Sequence, residues 1–196
     1  FESKLTQEFR LHFDEKIEEM FQSIGIREGS VWIEVFHDGE NYYFNEVGFR
    51  YGGSVSIYPV DYFYQINQVA ADIHYALTGE SCISEHTSLI RSTLPRKKYY
   101  CIYPVHINAG TISSISGLDK IAQLENIVYL ATTKYLHDRI ESSGSFSQVF
   151  ALVHFVCNTT EECIQTIDRI HQMLVVFDEH GNNMVNRMLD VGKIIF

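Results

Sequence analysis

The sequence predicts an α+β chain in two parts, and three observations predict it. Apolar residues recur at three- and four-residue steps near the start and again over 60–77. From Tyr99 onward, short strand-like runs are bounded by glycines. One further helix is announced by Thr159 with Glu162 three residues later, a capping-box pattern. Helices with a hairpin, then mostly strands with one good helix, make an α+β order, with parts at 1–94 and 95–196.

The first helix is expected over 3–24, with Leu5, Phe9, Phe13, Ile17, Met20, Phe21 and Ile24 on one side. Gly25 is its expected stop. Residues 31–37 and 41–47 read as a hairpin with Asp38-Gly39 at its tip, and Tyr51-Gly52-Gly53-Ser54 breaks the chain. A second helix is expected over 60–77, ended by Gly79. Residues 80–97 are polar and mixed and read as a linker or crossover. Strands follow at 99–107, 110–117, 127–133 and 149–156, with a short helix at 118–124. The Thr159 helix turns Cys163, Ile167, Ile170 and Leu174 inward, and 175–177 is a last strand before the turn Glu179-His180-Gly181-Asn182-Asn183.

The 196 residues are 45% hydrophobic and 20% charged, an ordinary globular composition. The net charge is −10, and the one basic cluster is Arg96-Lys97-Lys98 after Pro95, so no nucleic-acid partner is expected. No apolar run approaches the roughly 18 residues of a membrane span, and the start lacks a signal-peptide pattern. The expected location is cytoplasmic. The chain begins without a methionine and reads as part of a longer one. Cys82, Cys101, Cys157 and Cys163 show no CxxC pair, so they read as free or buried thiols. His106, His154 and His171 lie in apolar segments without metal-ligand spacing and read as core or partly exposed residues. Ser81, Ser84 and Ser88 show no nucleophile-elbow pattern.

The hairpin carries two glutamates, Glu34 and Glu46, among Val, Ile, Phe and Tyr. Strand side chains alternate faces, so parity decides whether they meet. A two-residue Asp38-Gly39 loop puts Glu34 opposite Tyr43 and Glu46 on the other face. A three-residue loop, Asp38 to Glu40, puts Glu34 opposite Phe44 and Glu46 opposite Trp32, with the carboxylates as diagonal neighbours. Like charges that close repel unless a cation or proton lies between them. Hard cations such as Mg²⁺ take carboxylate and phosphate oxygens, so the hairpin could be a metal-nucleotide platform. The plain alternative is a pair of solvated strand-edge glutamates.

The runs Trp32-Ile33-Glu34-Val35-Phe36 and Phe44-Asn45-Glu46-Val47-Gly48-Phe49-Arg50-Tyr51-Gly52-Gly53 resemble the metal-binding end of the ATP-grasp fold. That family has a strand ending in Glu, a hairpin, then Glu-x-Asn-x-Arg, often with Gly-Gly after it. The resemblance extends over the whole chain. Residues up to the helix ending in Leu77-Thr78-Gly79 resemble the second lobe of an ATP-grasp domain. GTISSISGLDKIAQLENI, the TTEE helix and FDEHGNNM resemble the small, mainly-β C-terminal domain of its carboxylate–amine ligases. The nearest members in character are the amino-acid ligases and carbamoyl-phosphate-synthase-like enzymes.

The resemblance implies ATP and Mg²⁺ (or Mn²⁺) as cofactors and small-molecule carboxylate and amine substrates joined through an acyl phosphate. It implies that Glu34 and Glu46 hold the metal and that Arg50 faces the γ-phosphate or acyl phosphate, where a planar bidentate cation suits phosphate oxygens. It places Phe36 near the adenine, and Gly52 and Gly53 where backbone amides approach a phosphate or substrate. The family's metal-binding Asn falls at Gly48, so water or Asn45 would have to complete the shell. The phosphate-binding lysines and the adenine hinge would lie in an N-terminal lobe of the parent, so this part alone is expected to be inactive. A homodimer is allowed for. The rival expectation is a non-catalytic α+β interaction or scaffold module whose glutamates are solvated.

Overall fold

The computed structural model describes residues 4–53, 55–83 and 98–187. The expected linker over 80–97 therefore lies mostly outside the described residues. The chain divides into two compact units, 1–95 and 96–196.

In the first unit, α1 (Lys4–Ser23) half-buries Phe9, Phe13, Ile17 and Phe21, one row at four-residue steps. Leu5, Met20 and Ile24, expected on that row, are exposed. The helix stops as expected at Gly25. Gly25 is left-handed (φ 85°), its N–H donates to Gln22, and the Ile26 N–H donates back to Phe21, a Schellman ending.

Strands β1 (Trp32–His37) and β2 (Tyr42–Gly48) pair antiparallel. Phe9 and Phe13 of α1 pack against Tyr42 and Phe44 with ring centroids 5.4–5.8 Å apart. One face of the hairpin thus rests on α1. Trp32, Glu34 and Phe36 belong to the other face.

The helix expected over 60–77 is two helices, α2 (Ile57–Tyr64) and α3 (Gln68–Thr78). Gln65 turns left-handed (φ 57°) and ends α2. Asn67 then caps α3, its side chain accepting the Ala70 N–H at 3.0 Å. The apolar pattern runs through the break, yet Val69, Ile73 and Leu77 of it are exposed, and the buried residues here are Tyr64, Ile66 and Ala71. Gly79 closes α3 in the left-handed region, as expected.

The second unit is built on β7 (Val149–Cys157), which is buried along almost its whole length. It lies between β3 (Tyr99–His106) and β5 (Ile127–Thr132), antiparallel to both. Pro104 is accommodated because β3 is an edge strand. A second sheet orders β6 (Arg139–Ile140), β4 (Gly110–Ser116) and β8 (Val175–Asp178). The two-residue β6 was too short to leave a sequence pattern. Helix α4 (Leu118–Ala122) is short, and α5 (Thr160–Met173) closes the core.

Cys163, Ile167, Ile170 and Leu174 are all buried, as their spacing predicts. Thr159 accepts the Glu162 N–H at 3.1 Å. Glu162 returns its carboxylate to the N–H of Asn158 at 2.7 Å, one residue before the cap. Phe150, Val153, Phe155, Ile112, Ile121 and Val176 complete a core with almost no exposed surface.

Candidate functional site

Neither expected loop forms at the hairpin tip. His37 pairs with Tyr42, so the loop is the four residues Asp38 to Asn41. Asp38 organises it. Its Oδ1 accepts the N–H groups of Glu40 and Asn41 at 2.9 and 2.8 Å, and its Oδ2 accepts the Tyr43 hydroxyl at 2.8 Å. The Asn41 and Glu40 amides, with that hydroxyl, hold the Asp38 carboxyl down at about 2.

A regular continuation would pair Glu34 with Asn45 and turn Glu46 toward α1. Instead the register shifts between Glu34 and Val35: Val35 lies opposite Phe44, and Glu34 opposite Glu46. Asn45 is the extra residue of a β-bulge, so two residues of β2 oppose one of β1. The expected pairings of Glu34 with Phe44 and of Glu46 with Trp32 are thereby corrected. Glu34 and Glu46 face each other directly rather than diagonally, and Asn45 joins them, its Nδ2 donating to Glu34 Oε1 at 2.6 Å.

Like charges directly opposite on a sheet are unfavourable. Each glutamate here has one neighbour that eases this. Glu34 has Asn45, and Glu46 has Arg50, whose Nη2 lies 3.8 Å from Oε1. Both members of that ion pair are 55% exposed, so it contributes little to stability.

Arg50 lies over the Trp32 ring, 5.0 Å from its centroid, and donates to the Tyr51 carbonyl at 3.1 Å. Gly48, opposite Trp32, leaves room for this. A side chain there would meet the Arg50 stem at 3.3 Å. Gly52 has a packing role: a Cβ would come within 2.8 Å of both Trp32 and the Ser56 hydroxyl. Gly53 faces open space. Phe36 is 60% exposed beside Glu34, opposite the equally open Tyr43. Tyr51 anchors the segment through its hydroxyl to Asp72 of α3 at 2.5 Å, and Ser30 donates to the same carboxylate at 3.1 Å. Burial, then that carboxylate, raises the Tyr51 hydroxyl above its ordinary value.

Glu34, Glu46, Arg50 and Phe36 thus share one hairpin face, with Gly52 and Gly53 just beyond it. Sequence reasoning did not anticipate a second grouping. Cys101, Cys157 and Cys163 come together in the other unit, although their spacing showed no motif. Only strand pairing and the α5 start could have revealed them.

No protein-family model matches the chain, and no curated protein matches it in sequence. Solved structures do. An L-amino acid ligase from Bacillus licheniformis superposes with a TM-score of 0.70 at 22% identity, over 91% of this chain and 43% of that one. A phosphoribosylglycinamide synthetase from Anaerococcus prevotii superposes at 0.65 with 14% identity, over 84% and 41%. Both are ATP-grasp enzymes, and the likeness shows that this chain has the fold of the matched portion of them. This chain spans less than half the length of each. Among the described residues no helix is long and apolar enough to cross a membrane.

Proposed function

We propose that the chain is the C-terminal portion of an ATP-dependent ligase that activates a small carboxylate as an acyl phosphate and joins it to an amine. The observation that carries this reading is the bulge at Asn45, which gathers Glu34, Asn45 and Glu46 on the hairpin face away from α1. Two carboxylates and an amide are hard oxygen donors, the set that suits Mg²⁺ or Mn²⁺. In this reading Glu34 and Glu46 hold the ion, and the Asn45 carbonyl oxygen is the further donor that Gly48 cannot be. When bound, the metal supplies charge neutralisation along the ATP phosphates.

Arg50 binds an oxygen of the transferring phosphoryl group and orients it. Its exposed contact with Glu46 is loose enough to give way to a phosphate. Phe36 offers an uncovered ring to the adenine, and Gly53 an open backbone to an anionic group. Gly52 serves this arrangement by seating Trp32, on which Arg50 lies. The phosphate-binding lysines and adenine hinge belong to the remainder of a longer parent in this reading.

The test uses the longer parent protein with Glu46→Gln and Glu34→Gln beside it. Phosphate release from Mg·ATP is measured across a panel of amino acids and amines, and Mn²⁺ binding is followed by electron paramagnetic resonance. The expected outcome is substrate-dependent turnover that falls by at least about a hundredfold in each variant, the loss a key electrostatic group causes, together with weaker Mn²⁺ binding. Equal turnover and equal Mn²⁺ binding in the variants would return both glutamates to the solvated scaffold reading.

A further inference from the structure

Three of the four cysteines meet at one point of the second unit. Cys101 is on the edge strand β3, Cys157 ends the central strand β7, and Cys163 lies in the first turns of α5. Cys101 Sγ is 3.7 Å from Cys157 Sγ and 3.7 Å from Cys163 Sγ, and all three sulfurs lie within 4.8 Å of one another. All three are free thiols.

Three sulfurs bound to one ion at about 2.3 Å stand roughly 4 Å apart in a planar arrangement. The observed spacing is that of a ligand set already gathered. It is also closely enclosed: Cys157 and Cys163 are 2% and 3% exposed and belong to the apolar core. Among the described residues no His, Asp or Glu joins the three sulfurs as a further ligand.

The geometry points to a three-thiolate site for a soft, thiophilic metal ion, with Cu(I) the ion it fits. The donor set decides the class of metal. Thiolates select Cu(I), zinc and iron–sulfur clusters over hard cations. Structural zinc takes four protein ligands and the common clusters four cysteines. Three sulfurs with no fourth protein donor among the described residues suit Cu(I) best.

The helix start gives partial compensation for the charge. Cys163 lies at the N-terminal end of α5, where the helix favours an anion. A cleft of about 550 Å³ that Cys157 lines, with Lys98 and Arg169 balanced by Glu125 and Glu162, gives the ion a route inward. Binding is an exchange without redox change. Each sulfur bonds to the copper as its thiol proton leaves to water, and the ion enters and stays as Cu(I). Occupancy joins β3, β7 and α5 through one centre, a staple at the junction of sheet and helix.

The experiment is anaerobic titration of the full chain with Cu(I) against a chromophoric chelator, followed by alkylation mapping of the thiols. The expected result is about one equivalent per chain, with Cys101, Cys157 and Cys163 alkylated more slowly with copper than without it and Cys82 labelled equally in both. Cys101→Ser and Cys157→Ser should each weaken binding beyond the roughly 10–100-fold that loss of an outer partner costs. Cys82→Ser should leave it unchanged. Alkylation mapping needs only the unmodified chain, compared with and without copper, so it decides the matter even if a variant misfolds. The proposal is overturned by full Cu(I) uptake in the Cys101→Ser and Cys157→Ser chains, or by labelling of Cys101, Cys157 and Cys163 that copper leaves unchanged. Tighter retention of Zn(II) than of Cu(I) also overturns it, as does a disulfide among the three thiols that forms in air while copper is not taken up.

Discussion

Asp38 holds the hairpin turn through its charge. Its carboxylate accepts three donors in the structure, and its pKa falls from 3.8 to about 2. A depressed folded pKa means the stabilisation is fully present above pH 3.8 and is lost as pH falls through about 2. NMR of the Glu40 and Asn41 amides should show a titration near the folded value, and Asp38→Asn should abolish it. A titration at the ordinary carboxylate value would rule the arrangement out. Gly52 makes a steric demand instead. Gly52→Ala should destabilise the first unit by about 1–3 kcal/mol and disturb the Trp32 fluorescence, because its Cβ would meet the indole. An unchanged urea midpoint would show that Trp32 can move aside. The residue scale was partly legible in the sequence. Asp-Gly marked the turn, and Glu34, Glu46 and Arg50 stood out by type. The bond from Asn45 to Glu34 depends on a register that no local signal sets.

Among the elements, Gly117 separates β4 from α4 at φ +94°, and a Cβ there would fall on the carbonyl oxygen of Met173 at the end of α5. Gly117→Ala should cost about 3 kcal/mol or more, from backbone strain and backbone contact together. Urea denaturation followed by circular dichroism would measure it, and a loss below about 1 kcal/mol would mean that the α4–α5 contact yields. Glycines that border an element were legible, as Gly25 and Gly79 show at the ends of α1 and α3. Periodicity located both α1 and α5, and it gave the buried face correctly for α5 but only in part for α1. It failed at 65–67, where a left-handed Gln65 and an Asn67 cap interrupt an apolar pattern that continues past them. The hairpin parity failed for a related reason. Loop length and bulge act together on the register, and a reading that considers only the loop cannot separate them.

Over the whole molecule, burial is uneven between the two units. Among the described residues, buried apolar ones of the first unit are few, Tyr64, Ile66 and Ala71 among them, whereas β7 and α5 of the second lie in a continuous core. Hydrogen exchange on the chain should therefore protect the β7 amides far longer than those of β1 and β2. Equal protection in both would contradict that order. The α+β class and the sequence of elements were legible because strands and helices alternate with clear glycine punctuation. The thiol grouping was not. Cys101 and Cys157 meet through strand pairing across 56 positions, a distance at which sequence spacing carries no information.

The bulge also makes the hairpin two halves that are out of phase by one residue. One half seats Tyr42 and Phe44 on α1; the other aims Glu46 at Glu34. Deleting Asn45 would bring the halves into phase with both jobs intact, at the loss of the amide. Deleting Tyr43 would also keep the glutamates facing, but would swing Phe44 off the helix. Inserting a residue beside Asn45 would have to be absorbed by a wider bulge, or by regular pairing that carries Glu46 opposite Trp32 and only diagonal to Glu34. Tolerance to changes of length is thus concentrated at a single position, and the aromatic anchor and the carboxylate pair are free to vary separately on either side of it.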